Sequence, residues 1–243
     1  MHRFFAEKEN FSNNLVTLQG SDASHIRTVL RLKAGDKIQV LDGEGSVHLV
    51  RIADLKSKSI KGEILLSEKI DTESPLKIHL GQSIIKGNGF DVIVRKSVEL
   101  GVHTLSPLIT ERTVTKSDSS KKIVRWKKIA EESSKQCGLS SIPKISESAV
   151  KLETFCQQAS DSDLKLIFWE LEKEKGLKDI NPETAPSSAS VLIGPEGGFT
   201  LEEVETARSY GFHALGLGPR IFRAETAPLV VLSLLQSKWG DIK

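Results

Sequence analysis

The sequence predicts an α/β fold with a small β-barrel at its N-terminus. Two observations carry this expectation. From Val191 to Pro228 the chain reads strand, glycine loop, helix, strand, glycine loop, helix. That is the alternation of an open sheet whose ligands lie at strand ends. From Met1 to about Ile70 it instead holds five short β-prone runs and one short helix, which fits a small barrel.

The five runs are His2–Phe5, Leu15–Leu18, Lys37–Leu41, Val47–Leu55 and Ile60–Leu66. Asp42-Gly43-Glu44-Gly45 reads as a hairpin loop. The helix follows Ser21, with Ile26, Val29 and Leu30 at helical spacing. Residues 71–75 (DTESP) are a polar connector ending in proline, so the boundary divides residues 1–70 from 76–243. A strand Leu76–Ile85 leads into Lys86-Gly87-Asn88-Gly89. The helix Phe90–Leu100 then puts Phe90, Ile93, Val94 and Val98 on one face, with Gly101 as its stop. Leu105–Ile109 is a strand and residues 117–120 a polar turn. Lys122–Cys137 is a helix with Ile123, Trp126, Ala130, Ser133 and Cys137 on one side. Leu152–Ala159 is a further helix. Leu164–Trp169 is a buried strand ending at Glu170, and residues 173–190 form a polar connector.

The C-terminal stretch carries the sharpest local signals. Thr200 and Glu203 have the spacing of a capping box, and Phe199 and Val204 that of a hydrophobic staple. Leu201, Val204 and Ala207 give the intervening helix one apolar face, and Gly211 ends it. The last helix runs from Ala227 to Trp239. Thr226 is in place to cap it, and Pro228 falls in the first turn, where an N–H has no partner anyway. Leu229, Val231, Leu232 and Leu235 make it strongly apolar.

Composition narrows the class. Of 243 residues, 38% are hydrophobic and 27% charged, as in globular proteins. No apolar run approaches the roughly 18 residues of a membrane span, and MHRFFAEKEN lacks the apolar core of a secretory signal. Cys137 and Cys156 are the only cysteines and have no CxxC spacing, which fits reduced thiols in the cytoplasm. The six histidines are scattered, so no metal site is expected. Net charge is only +2, yet Lys77–Lys128 holds 11 Lys and Arg against 4 Asp and Glu. Such a segment follows a phosphate backbone or is a solvated helix face.

The two glycine loops, Gly194–Gly198 and Gly216–Gly218, let a ligand lie against the backbone. Neither is a standard phosphate cradle. The first lacks the GK[ST] ending of a P-loop, and Ile221 replaces the third glycine of a dinucleotide fingerprint. Glu196 would repel a phosphate at short range. A neutral or cationic nucleoside fits better than ATP or NAD; a pair of ordinary turns is the alternative.

GPEGG with its following helix, then LGLGPRIFRAETAP, resembles the SPOUT-superfamily methyltransferases. Within them it is similar to the bacterial ribosomal RNA small subunit methyltransferase E family, which methylates N3 of a uridine in small-subunit (16S) ribosomal RNA. The resemblance extends over the whole chain from Met1-His2-Arg3-Phe4-Phe5. Phe222 and Ala224 stand where that family commonly has Leu and Thr, and Leu139 where it has an arginine. The resemblance implies a mostly parallel SPOUT sheet with a C-terminal trefoil knot, a PUA-like N-terminal barrel that binds RNA, and a homodimer. It implies S-adenosylmethionine as cofactor and small-subunit ribosomal RNA, free or in the assembled subunit, as partner.

Three strand ends are then expected to border the cofactor. Glu170 belongs to one; Ile193, Gly194, Pro195, Glu196 and Gly197 to the second; and Leu215, Leu217, Gly218, Ile221, Arg223, Thr226 and Ala227 to the third. For RNA, Arg27 and Arg31 stand four apart on one helix face, with Arg3 to join them. Lys86 and Lys96 are further candidates, each with a solvated face as the alternative. Arg112 falls in a segment where the resemblance implies an RNA or dimer contact. Uracil N3 is a poor nucleophile until its proton leaves, and the charge then spreads to the flanking carbonyl oxygens. A guanidinium stabilises that charge: Arg223 is the first choice and Arg220 the second. Glu225 is the nearest carboxylate to take the proton or orient Arg223, unless it serves only the helix dipole. The rival readings are a SPOUT enzyme acting on a 2′-hydroxyl or guanine of transfer RNA, and a non-catalytic RNA-binding assembly factor.

Overall fold

The structure is a computed structural model that describes residues 1–56, 59–70, 72–114 and 120–243. Most of the expected turn at 117–120, and Asp71 of the connector, lie outside the described residues. Two compact units are present: Met1–Glu73 with Ser134–Ile142, and Ser74–Ser133 with Pro143–Lys243. The sequence assigned Ser134–Ile142 to the second. The structure ties it to the first through Lys135 Nζ on Asp22 (2.9 Å), Ser140 N–H on Thr72 Oγ1 (2.8 Å) and Ser141 Oγ on Glu73 (2.6 Å).

The first unit is a six-stranded sheet. Its strands are β1 (Arg3–Phe5), β2 (Phe11–Ser12), β3 (Leu15–Gln19), β4 (Lys37–Leu41), β5 (Ser46–Leu55) and β6 (Ser59–Lys69), in the order β1-β4-β5-β6-β3-β2. All neighbours pair antiparallel except β1 with β4. The period-2 pattern is what sorts the side chains. Val16 and Leu18, Ile38 and Val40, and Val50 and Ile52 all turn into one core with Phe4 and Ile60. Helix α1 (Gly20–Ser24) continues into a π-type turn, His25–Val29. The wider turn breaks the α repeat, and Arg31 beyond it is left-handed at φ 53°. Arg27 and Arg31 therefore do not share an α-helical face as their spacing implied. Val29, expected inside, is 68% exposed; Ala23 and Ile26 fill the core instead.

The second unit is an all-parallel sheet of seven strands. In chain order its elements are β7 (Lys77–Ser83), α2 (Gly89–Glu99), β8 (Val102–Ile109), α3 (Ser120–Cys137, whose last residues belong to the first unit), β9 (Lys144–Ile145), β10 (Val150–Lys151) and α4 (Leu152–Gln158). Then come β11 (Leu164–Phe168), β12 (Ser188–Ile193), α5 (Leu201–Ser209), β13 (His213–Leu215) and α6 (Ala227–Trp239). The strand order is β10-β8-β7-β12-β11-β13, with β9 beside β10 on β8. Helices α4 and α5, with the residues flanking α5, pack on the sheet through Phe155, Phe199, Val204 and Phe212. Phe155 lies directly on Gly81, where a Cβ would stand 2.8 Å from its ring, which is why a central strand tolerates a glycine there. The capping box and staple of α5 form as the sequence predicts: Thr200 accepts from Glu203 N–H, the Glu203 carboxylate accepts from Thr200 N–H, and Phe199 and Val204 are buried. Thr226 does not cap α6. Its own backbone is already helical, so its hydroxyl is not aimed at the free N–H groups. The buried Gln236 near the end of α6 is satisfied by Ser74 and the Gly101 carbonyl.

His79 of β7 gives this unit a pH dependence. Its Nε2 meets Ser106 Oγ at 2.8 Å and its ring packs on Phe155 at 4.5 Å. Burial, with a smaller effect of His103, pushes the imidazole down to about 4. The folded protein thus binds this proton later than the unfolded chain, which titrates near 6.5. Stability from this group is complete above pH 6.5 and lost as pH falls towards 4, by on the order of 3 kcal/mol. Urea unfolding should show a midpoint falling between pH 7 and 4.5, less steeply in His79→Gln. Equal slopes in both proteins would contradict this.

Candidate functional site

Three adjacent parallel strands end together. In register, Phe168 of β11 pairs with both Ile193 of β12 and Leu215 of β13. The loops that follow therefore emerge side by side at one sheet edge. They enclose a pocket of about 640 Å³ lined by residues 168–170, 172–173, 193–198, 217–218, 220–225 and 227. That volume lies within the range of small-molecule sites.

Close approach explains two of the glycines. Gly198 has φ +68°, and the Glu170 carboxylate occupies the space a Cβ would need. A Cβ on Gly216 would overlap the Glu172 carbonyl oxygen, and Gly216 N–H donates to the Lys175 carbonyl at 2.8 Å. The loop after β13 is thus seated on the segment after β11. Trp169 completes the floor, its indole N–H donating to the Phe199 carbonyl at 3.3 Å and its backbone N–H to the Leu215 carbonyl at 2.9 Å.

Most of the expected cofactor residues line this pocket: Glu170, Ile193, Gly194, Pro195, Glu196, Gly197, Leu217, Gly218, Ile221, Arg223 and Ala227. Glu225 and Arg220 line it too. Leu215 and Thr226 do not. Leu215 is fully buried at the end of β13, and Thr226 N–H folds back on the Arg223 carbonyl at 2.8 Å. Sequence reasoning missed Phe168, Trp169, Glu172, Lys173, Phe222 and Ala224 as lining residues. For Phe168 and Trp169 the signal was present, since a buried apolar run ending at an aromatic pair marks a strand end.

Acids and bases are mixed around the pocket. Backbone N–H groups of Glu174 and Lys175 hold the Glu172 carboxyl below its ordinary range, helped by Arg208. Lys173 donates to the Glu170 carbonyl at 2.6 Å. Arg223 is 86% exposed on its side chain and stands 4.0 Å from the Glu225 carboxylate. Its guanidinium is therefore at the pocket yet only loosely held.

The expected RNA residues are spread over both units. In the first, Arg3 donates to Gln39 at 3.1 Å, and its guanidinium fills the place of a Cβ on Gly138, one residue before Leu139. Arg27 and Arg31 are exposed. In the second, Lys96 pairs with Glu99 at 2.7 Å. The Lys86 side chain is exposed, while its N–H donates to Glu196 at 2.8 Å. Arg112 Nη1 donates to the Gly197 carbonyl at 2.6 Å.

Comparison with known proteins points the same way. Residues 72–236 match the RNA methyltransferase domain family, and residues 18–65 the RNA methyltransferase PUA domain family. The chain is 33% identical to the ribosomal RNA small subunit methyltransferase E of Buchnera aphidicola subsp. Acyrthosiphon pisum, over 99% of this chain and 95% of that one. It is 30% identical to the protein of that name from Bacillus subtilis, over 97% and 96%. A crystal structure of the Neisseria gonorrhoeae ribosomal RNA small subunit methyltransferase E bound to S-adenosyl methionine matches with a TM-score of 0.90. It is 34% identical and covers 100% of both chains.

Proposed function

The chain belongs to the ribosomal RNA small subunit methyltransferase E family, and we propose that it methylates N3 of one uridine in small-subunit ribosomal RNA. As a member it is an S-adenosylmethionine-dependent ribosomal RNA methyltransferase. The observation that carries the reading is the single pocket formed by three adjoining strand ends. Its glycine loops lack the lysine of a phosphate cradle, and a Cβ at Gly218 would stand in open space. That suits a sulfonium nucleoside, which brings no phosphate.

When bound, S-adenosylmethionine supplies an electrophilic methyl group on a positively charged sulfur. The chain's own task is then to place the uracil edge in line with it and to manage the N3 proton. Residues 194–198 and 217–218, which line the pocket, would hold the nucleoside half of the cofactor. Arg223 faces the uracil carbonyl oxygens and stabilises the charge they gain as the proton leaves. Glu225, 4.0 Å from Arg223, is the carboxylate assigned to that proton. The target base must be unstacked to reach the pocket, so a loop or an extruded nucleotide is the substrate.

The wider assembly follows from the same reading. The PUA-like first unit, with Arg3, Arg27 and Arg31, docks RNA. The second unit carries the chemistry, with Lys86 and Lys96 beside the RNA path. The trefoil knot, the homodimer and action in the cytoplasm belong to this proposal. Among the described residues no helix is long and apolar enough to cross a membrane.

Labelled methyl donor and small-subunit RNA from a strain lacking the protein provide the test. Digestion and mass spectrometry should return labelled 3-methyluridine. A labelled 2′-O-methylated or guanine nucleoside would redirect the reading to another SPOUT chemistry, and no label would leave an RNA-binding factor.

A further inference from the structure

We infer that Arg112 is a positioning residue for the cofactor site: with Glu203, it clamps the 194–198 loop from outside. The inference rests on the S-adenosylmethionine reading of the pocket. In the strand order, β8 is separated from β12 by β7, so Arg112, just after β8, reaches across the end of β7 to the loop after β12. There its guanidinium donates to the Gly197 carbonyl at 2.6 Å. Its stem lies on Gly197, where a Cβ would stand 3.2 Å from Arg112 Cδ.

Neighbouring bonds make this a clamp rather than a single contact. Glu111 N–H donates to one oxygen of Glu203 at 2.8 Å, while the other accepts from Thr200 N–H at 3.0 Å. One carboxylate thereby joins the segment after β8 to the start of α5. At the end of β7, Lys86 N–H donates to Glu196 at 2.8 Å. The turn that presents Arg112 is itself fixed, because Thr110 and Thr113 are buried and bonded to each other and to Ser83.

The loop needs such support. It is glycine-rich, and its own backbone contributes one cross-bond, Gly198 N–H to the Pro195 carbonyl at 2.9 Å. Glycines give up more freedom on ordering than other residues. Fixing the loop before the ligand arrives removes that cost from binding. A guanidinium suits the task, since it bonds the carbonyl while its stem covers a residue without a side chain. Arg112 thus serves the donor pocket, a role distinct from the RNA or dimer contact the resemblance implied.

The full-length protein tests this with three measurements: S-adenosylmethionine affinity by calorimetry, RNA affinity by filter binding, and steady-state kinetics. Arg112→Ala should weaken donor binding and raise its KM about tenfold, leaving kcat at saturating donor and RNA affinity near wild type. Arg112→Lys should recover part of the loss, and Glu203→Gln should shift donor KM the same way. Unchanged donor affinity with weakened RNA binding in Arg112→Ala would overturn the clamp and restore an RNA contact. A wild-type protein that takes no donor would overturn the pocket reading itself.

Discussion

Arg223→Ala is expected to lower methyl transfer about 100- to 1,000-fold, the loss seen when one charge-stabilising donor is removed, if bound RNA fixes this exposed guanidinium against the base. The affinity for S-adenosylmethionine should change far less. The side chain is 86% exposed and, among the described residues, its one ion-pair partner, Glu225, stands at 4.0 Å. Removing it takes away little packing, and surface substitutions of that kind usually leave stability within about 0.5 kcal/mol. A large rate loss with a normal melting temperature would therefore report on chemistry, not folding. Arg223→Lys should fall between the two, since an ammonium keeps the charge but not the planar fork that spans two oxygens. Rates near wild type in Arg223→Ala would remove Arg223 from the mechanism and turn attention to Arg220, which lines the same pocket.

Gly216→Ala should abolish donor binding at ordinary concentrations. The added Cβ would overlap the Glu172 carbonyl oxygen. A backbone oxygen cannot swing aside as a side-chain end can, so one of two segments must move. Either movement strains the Gly216 N–H bond to Lys175, 2.8 Å long, and pulls the loop after β13 away from the segment after β11. Overpacking of this kind costs about 1–3 kcal/mol, within what the fold tolerates, while the pocket walls shift by more than a tight ligand allows. Donor calorimetry and thermal melting on one preparation separate the two effects. A folded Gly216→Ala protein with wild-type donor affinity would show that this seam does not shape the site.

What the sequence made legible was local. The α5 capping box rests on bonds between residues three apart, so type and spacing sufficed. The two glycine loops were legible because only glycine fits where another chain segment touches the backbone. Longer-range facts were hidden. β7 pairs with β12, more than 100 residues on, and nothing in either run names its partner. Ser134–Ile142 reads as the end of a helix and a loop, yet its polar partners include Asp22, Thr72 and Glu73. Arg27 and Arg31 misled because helical spacing presumes an unbroken α repeat, and the π-type turn ends it. Thr226 misled for the related reason that capping depends on backbone conformation, which its residue type does not reveal. Arg112 could be singled out, but a carbonyl partner 85 residues away leaves no mark in composition or period.

The most direct measurement is a calorimetric titration of S-adenosylmethionine into the purified wild-type protein, repeated with Arg223→Ala and Gly216→Ala. One saturable donor molecule per chain is expected for the wild type and for Arg223→Ala, and none for Gly216→Ala. Absence of binding by the wild type at about 1 mM donor, where even a weak site of roughly −4 kcal/mol would register, would contradict the account.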